Sequence, residues 1–153
     1  MSLNRWQGVR IAELVRGELA PCMKYGNTQI DGPDVVLAAE ATQPVTMVLR
    51  ELVTNAAKYG AFSNGRGRVS VCWQKQSNGS ATSGLVLEWR EAGGPPIAAR
   101  NCPGYGPSVI RNLIPYELGG TVDYDLAADG ARCSMQIPAK WLNATAAQTA
   151  ELS

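Results

Sequence analysis

Three residues in the stretch Arg50-Glu51-Leu52-Val53-Thr54-Asn55-Ala56-Ala57-Lys58-Tyr59-Gly60 are spaced to act together. Glu51, Asn55 and Lys58 stand at i, i+4 and i+7, so on a helix they share one face while the apolar residues take another. An acid, a neutral amide and a cation in one row suit a metal-bound polyphosphate. The amide oxygen can ligate a hard cation such as Mg2+, which takes oxygen ligands and keeps several waters. The lysine offers a point charge to phosphate oxygens. The same row also fits a solvated helix face carrying a polar cluster, and spacing alone does not choose between the two.

A second candidate ends a strand, in Trp89-Arg90-Glu91-Ala92-Gly93-Gly94-Pro95-Pro96. A carboxylate there can accept a hydrogen bond from an exocyclic amine, and the adjacent glycines let a flat base approach the backbone. An acid before a Gly-Pro turn is also an ordinary turn. The third candidate is Pro103-Gly104-Tyr105-Gly106-Pro107-Ser108, followed by Val109, Ile110, Leu113 and Ile114. Pro107 suits a first helical position, so free N–H groups and the positive end of the helix dipole would face the glycines. That is a phosphate-binding arrangement in principle, although an isolated G-x-G is a common loop. It is neither a Walker loop nor a G-x-G-x-x-G fingerprint.

The elements that must position these residues follow from periodicity. Arg5 to Leu19 has mainly helical spacing, closed by Pro21. Thr28–Ile30 and Val35–Ala39 read as strands around the turn Asp31-Gly32-Pro33-Asp34. From Pro44, Val45, Val48, Leu49, Leu52, Val53, Ala56 and Ala57 recur at helical spacing until Gly60. Arg68–Gln74 and Leu85–Trp89 are strands joined by the polar stretch Gln76–Gly84, and Gly93–Gly106 is irregular. A helix from about Pro107 should be kinked or shortened by Pro115 and ended by Gly119-Gly120. Thr121–Leu126 and Ala131–Ile137 are the last strands. Strands arriving in adjacent pairs predict an α/β (α+β) two-layer sandwich, a mixed, mostly antiparallel sheet with helices on one face. Residues 1–138 form one domain, and the Ala/Thr-rich segment 139–153 is expected to be a mobile tail.

Composition narrows the function classes. The 153 residues, 45% hydrophobic and 18% charged, describe a globular domain. Lys+Arg 14 against Asp+Glu 13 gives a formal charge of +1, no electrostatic basis for nucleic acid or an anionic membrane as main partner. No apolar run approaches the ~20 residues of a membrane helix, so no direct membrane insertion is expected. Cys22, Cys72, Cys102 and Cys133 lack C-x-x-C spacing and read as reduced, mostly buried thiols of a cytoplasmic protein. There is no histidine. Ser-His and Cys-His nucleophile pairs, histidine zinc sites and a histidine phosphoacceptor in this chain are therefore excluded.

Taken together and in this order, the three segments resemble the ATP-binding catalytic domain of a bacterial sensor histidine kinase, within the superfamily shared with gyrase and the MutL-type ATPases (the Bergerat fold). The resemblance is to the HWE subfamily and covers about Leu19 to Pro138. Glu51-Leu52 through Asn55-Ala56-Ala57-Lys58-Tyr59-Gly60 is similar to its asparagine box. Trp89-x-Glu91 with Gly93-Gly94-Pro95 is similar to the W-x-E form of the first glycine box. Gly104-Tyr105-Gly106 with Leu113-Ile114 and Leu118-Gly119-Gly120 is similar to the second glycine box and the helix after it.

The resemblance implies ATP and Mg2+ as cofactors. It implies that Asn55 coordinates the metal, Lys58 contacts the phosphates, and Glu51 polarises the attacking nucleophile or its water. Glu91 would take the place of an aspartate that reads the adenine amine. Gly93, Gly104 and Gly106 would give the base and phosphates access to backbone, with Tyr59, Tyr105 and Leu113 completing the nucleotide-binding set. The implied reaction passes the γ-phosphoryl group of ATP to a histidine on a separate dimerisation and phosphoacceptor region, with a response regulator as the further partner. Two other readings use the same fold: a catalytically degenerate docking module for a response regulator, and a serine protein kinase of the anti-sigma type. The HWE pattern has a histidine immediately before the asparagine-box glutamate, where this chain has Arg50. Arginine cannot shuttle protons, so the departure bears on catalysis more than on nucleotide binding.

Overall fold

The computed structural model describes residues 8–25, 27–63, 66–78, 81–94, 105–127 and 130–143. Five strands form the main sheet: β2 (Asn27–Asp31), β4 (Arg68–Asn78), β5 (Ala81–Ala92), β7 (Gly130–Pro138) and β6 (Thr121–Ala127), in that spatial order. The β2–β4 pair is parallel and the other pairs are antiparallel, so the sheet is mixed as predicted. Three helices cover one face: α1 (Ile11–Leu19), α2 (Ala39–Lys58) and α3 (Tyr105–Leu118).

Periodicity explains the layering. Val69, Val71 and Trp73 on β4, Leu85, Leu87 and Trp89 on β5, and Ala131, Cys133, Met135 and Ile137 on β7 alternate inward and are buried. Each helix answers with an apolar stripe: Ile11, Val15 and Leu19 on α1, Val45, Val48, Leu49, Leu52 and Ala56 on α2, and Ile110, Ile114 and Leu118 on α3. Burying one such leucine or isoleucine stabilises the fold by roughly 1.5–3 kcal/mol. The intervening strand residues, including Ser70, Gln74, Arg90 and Arg132, face away from the helices.

A second, small antiparallel sheet joins β1 (Val9–Arg10), β3 (Val36–Leu37) and β8 (Leu142–Asn143). It accounts for several departures from the sequence reading. The first helix starts at Ile11 rather than Arg5 because Val9 and Arg10 pair with Leu37 and Val36. Gly8 (φ +76°) packs there against the Leu37 carbonyl, where a Cβ would collide. The expected strand Val35–Ala39 shrinks to two residues, and α2 begins at Ala39, ahead of Pro44. The Ala38 N–H donates to the Trp141 carbonyl at 2.7 Å and buried Ala41 anchors the first turn. The chain does not become a free tail at Pro138. A 3-10 turn (Ala139–Trp141) leads into β8, and the Trp141 Nε1–H donates to the Leu118 carbonyl at 2.8 Å. Helix α3 likewise runs through Pro115, which is exposed in its last turns, and stops at Gly119 (φ +71°). There the Gly119 N–H returns to the Pro115 carbonyl at 3.1 Å.

Candidate functional site

The C-terminal end of α2 and the end of β5 build one site. On α2, Glu51 and Asn55 are half-buried and Lys58 is exposed. None of the three side chains forms a hydrogen bond or ion pair with a described residue. The row of a carboxylate, an amide and an ammonium therefore lies along one helix as the spacing predicts. The negative end of the helix dipole favours a cation here, which suits Lys58 and would equally suit a metal ion.

The helix ends in a compact turn. The Tyr59 and Gly60 N–H groups both donate to the Asn55 carbonyl, at 2.8 and 3.0 Å, and the Phe62 N–H to the Ala56 carbonyl at 3.0 Å. The Ser63 hydroxyl donates to the Gly60 carbonyl at 2.7 Å. This turn leaves the Ala61 N–H aimed at the sheet, where it donates to Glu91 Oε1 at 3.1 Å. The other carboxylate oxygen, Oε2, accepts the Trp89 Nε1–H at 2.9 Å. Glu91 is 5% exposed and is the one buried charged residue among the described residues. The carboxylate is thus held at both of its oxygens.

The glycines have a reason in the chain itself. A Cβ on Gly60 would collide with Glu91 Oε1, and one on Gly94 would come within 2.9 Å of the Ala61 nitrogen and Cα. Gly93 adopts φ +76° and lies 3.2 Å, at its Cβ position, from the Arg66 carbonyl oxygen and Gly67 Cα. The backbone after α2 and the backbone after β5 thus touch without side chains between them. That contact sets the acid on β5 beside the turn that ends the helix of Asn55.

Other expected residues fall differently. Gly104 lies outside the described residues, and Tyr105 and Gly106 open helix α3. Leu113 is half-buried and packs against the core. Arg50 faces α1, where its Nε and Nη2 donate to Glu18 Oε1 and Oε2, each at 3.2 Å. Among the described residues no group of three or more metal-ligating side chains occurs, so a divalent ion at Asn55 would take its remaining ligands from phosphates and water. Cys22, Cys72 and Cys133 are free, Cys72 being exposed against the expectation of burial.

No family model matches the chain. A blue-light-activated histidine kinase of Rhizobium johnstonii is 28% identical over 140 residues, 90% of this chain and 39% of that protein. Blue-light-activated histidine kinase 1 of Erythrobacter litoralis is 31% identical over 137 residues, 86% of this chain and 36% of that protein. The chain is homologous to the histidine kinase catalytic domain, HWE type. It spans less than two-fifths of either relative.

Solved structures share the fold of this histidine kinase catalytic domain. A mycobacterial sensor histidine kinase, MprB, superposes with a TM-score of 0.64 at 16% identity over 85% of this chain and 95% of that one. The histidine kinase ThkA, in complex with the response regulator protein TrrA, gives 0.59 at 19% identity over 84% and 40%. Sequence reasoning about this kinase domain missed two groups, the Trp89 indole and the Ala61 N–H, which hold Glu91. The Trp89–Glu91 pair had a signal, since i and i+2 on a strand share a face. The Ala61 N–H had none.

Proposed function

We propose that this domain binds ATP with Mg2+ and donates the γ-phosphoryl group to a histidine on a separate dimerisation and phosphoacceptor region. The acceptor belongs to another segment, because the chain has no histidine. One observation carries the reading. The sole buried acid among the described residues, Glu91, is held by the turn that ends the helix of Asn55 and Lys58. A base-reading acceptor and a phosphate-facing row are thereby fixed to one local structure.

In this reading Glu91 accepts the adenine amine. Gly93, Gly104 and Gly106, with Tyr59, Tyr105 and Leu113, border the nucleotide. The Asn55 amide oxygen ligates Mg2+, Lys58 pairs with phosphate oxygens, and Glu51 orients the incoming nucleophile. The metal supplies charge neutralisation on the phosphates. The protein's contribution is otherwise position and electrostatics rather than covalent chemistry. A response regulator is the downstream partner and the cytoplasm the compartment. No helix among the described residues is long and apolar enough to cross a membrane.

Calorimetric titration with ATP and ADP, with and without Mg2+, tests the reading. Saturable binding that Mg2+ strengthens is expected, with Asn55→Ala losing the Mg2+ effect and Glu91→Ala losing base recognition. Mixed with its histidine region, the wild-type domain should transfer phosphate and Asn55→Ala should not. A second reading, a docking module without catalysis, is favoured by one observation, the engagement of Arg50 with Glu18 where the family has a histidine. Tight response-regulator binding by a folded domain with no nucleotide affinity would establish it instead.

A further inference from the structure

We infer that Trp89 is a positioning residue for base selection: its indole N–H sets the Glu91 carboxylate in the one orientation that accepts an exocyclic amine. This rests on the nucleotide-binding reading and deepens it. Trp89 and Glu91 project from the same face of β5, and Trp89 is fully buried. Its ring lies on the strand position that pairs with Val71 on β4 and Cys133 on β7. The indole is thus packed on a central strand and cannot follow the carboxylate if the latter moves. The 2.9 Å bond fixes Oε2 from the sheet, and the 3.1 Å bond from Ala61 fixes Oε1 from the end of α2. A carboxylate held at both oxygens is rotationally locked. Its lone pairs then point in fixed directions, as a donor-reading site requires.

The two side chains are matched in length. A glutamate extends far enough to reach the indole two residues earlier and the Ala61 N–H together. An aspartate, one methylene shorter, would give up one of them. Gly60 completes the bracket, because any side chain there would occupy the position of Oε1. The chemical class selected is a purine nucleotide with an amine at C6. A carbonyl at that position would set oxygen lone pairs against the carboxylate.

The test compares ATP with ITP, which differ at that position, by calorimetry on the wild-type chain, Trp89→Phe and Glu91→Asp. The wild type should prefer ATP by tenfold or more, the scale of one hydrogen bond to a charged group. Trp89→Phe keeps the buried ring and removes the donor, and should cut the ATP/ITP ratio to near one while ITP affinity changes little. In Glu91→Asp, adding Trp89→Phe should change the ratio no further. An unchanged ratio in a folded Trp89→Phe overturns the inference and leaves nucleotide binding standing. Absence of ATP binding by the wild type overturns both. A second readout needs no change at Trp89: in Glu91→Gln the Trp89 indole N–H resonance should move more than those of Trp73 and Trp141. Those two indoles donate to the Pro33 and Leu118 carbonyls. Equal shifts at all three would also overturn it.

Discussion

Arg50 and Glu18 meet in a two-point contact, guanidinium to carboxylate at 3.2 Å on each arm, that ties α2 to α1 one residue before Glu51. The arginine is largely exposed and the carboxylate largely covered, with side-chain exposures of 65% and 18%. The pairing turns the side chain at position 50 toward α1 and supplies no proton-transfer group beside Glu51. The Glu18 hydrogen bond, followed by its charge, holds the Arg50 pKa above its ordinary value, so the charge persists at any working pH.

Arg50→His should therefore leave ATP affinity within about twofold of wild type while raising the rate of phosphotransfer to an added histidine region. Arg50→Ala and Glu18→Ala should each lower the melting midpoint slightly, by an amount that shrinks in high salt, as expected for an exposed pair. A large, salt-insensitive loss would mean that the contact organises the core.

Gly60→Ala puts a methyl group where Glu91 Oε1 sits. It should destabilise the domain by about 1–3 kcal/mol, the range for overpacking a filled site. Glu91→Ala removes the clash but orphans the Trp89 and Ala61 donors, so in urea titrations the double variant should lose less stability than the sum of the two single changes, without regaining nucleotide binding. Strictly additive losses would place the strain in the α2 turn itself.

The cysteines should divide by burial. Burial, with a smaller effect from Asp123, pushes the Cys133 thiol from its ordinary 9.0 up to about 12. Burial also raises Cys22, and Cys72 is raised by desolvation and by Glu88. Mass mapping after alkylation at neutral pH should find Cys72 modified slowly and Cys22 and Cys133 protected until the domain unfolds. The stability contribution of neutral Cys133 is complete below its unfolded pKa of 9.0 and is lost as pH rises toward 12, since the unfolded thiol ionises first. Cys133→Ala should flatten that alkaline fall in the melting midpoint.

Trp141→Ala removes the donor to the Leu118 carbonyl and the side chain leading into β8. A loss of about 1–3 kcal/mol in a urea melt is expected. Trp141→Phe, which keeps the ring, should recover part of it. No change in either variant would show that the small sheet holds without this bond.

The placement of the candidate residues was legible in the chain because it is written in local spacing. Glu51, Asn55 and Lys58 share a helix face by 3.6-residue periodicity, and the alternation along β4, β5 and β7 is enough to assign a sheet with one covered face. Short-range rules also caught the stops at Gly60 and Gly119. They failed where a distant partner decides the outcome. Residue 39 begins α2 because Ala38 finds the Trp141 carbonyl, and Ala139–Asn143 is structured because β8 finds β3. Pro44 and Pro115, read as a boundary and a kink, sit inside helices.

What the sequence determined by itself was which residues carry acid, amide and cation, and on which elements they ride. What only the tertiary structure decided was that Glu91 is the buried one, clasped by an indole from its own strand and a backbone N–H from the end of α2. Periodicity orders residues within an element. The contact between two glycine-bearing backbones thirty residues apart comes from the packing of one element on another, and no local rule contains it.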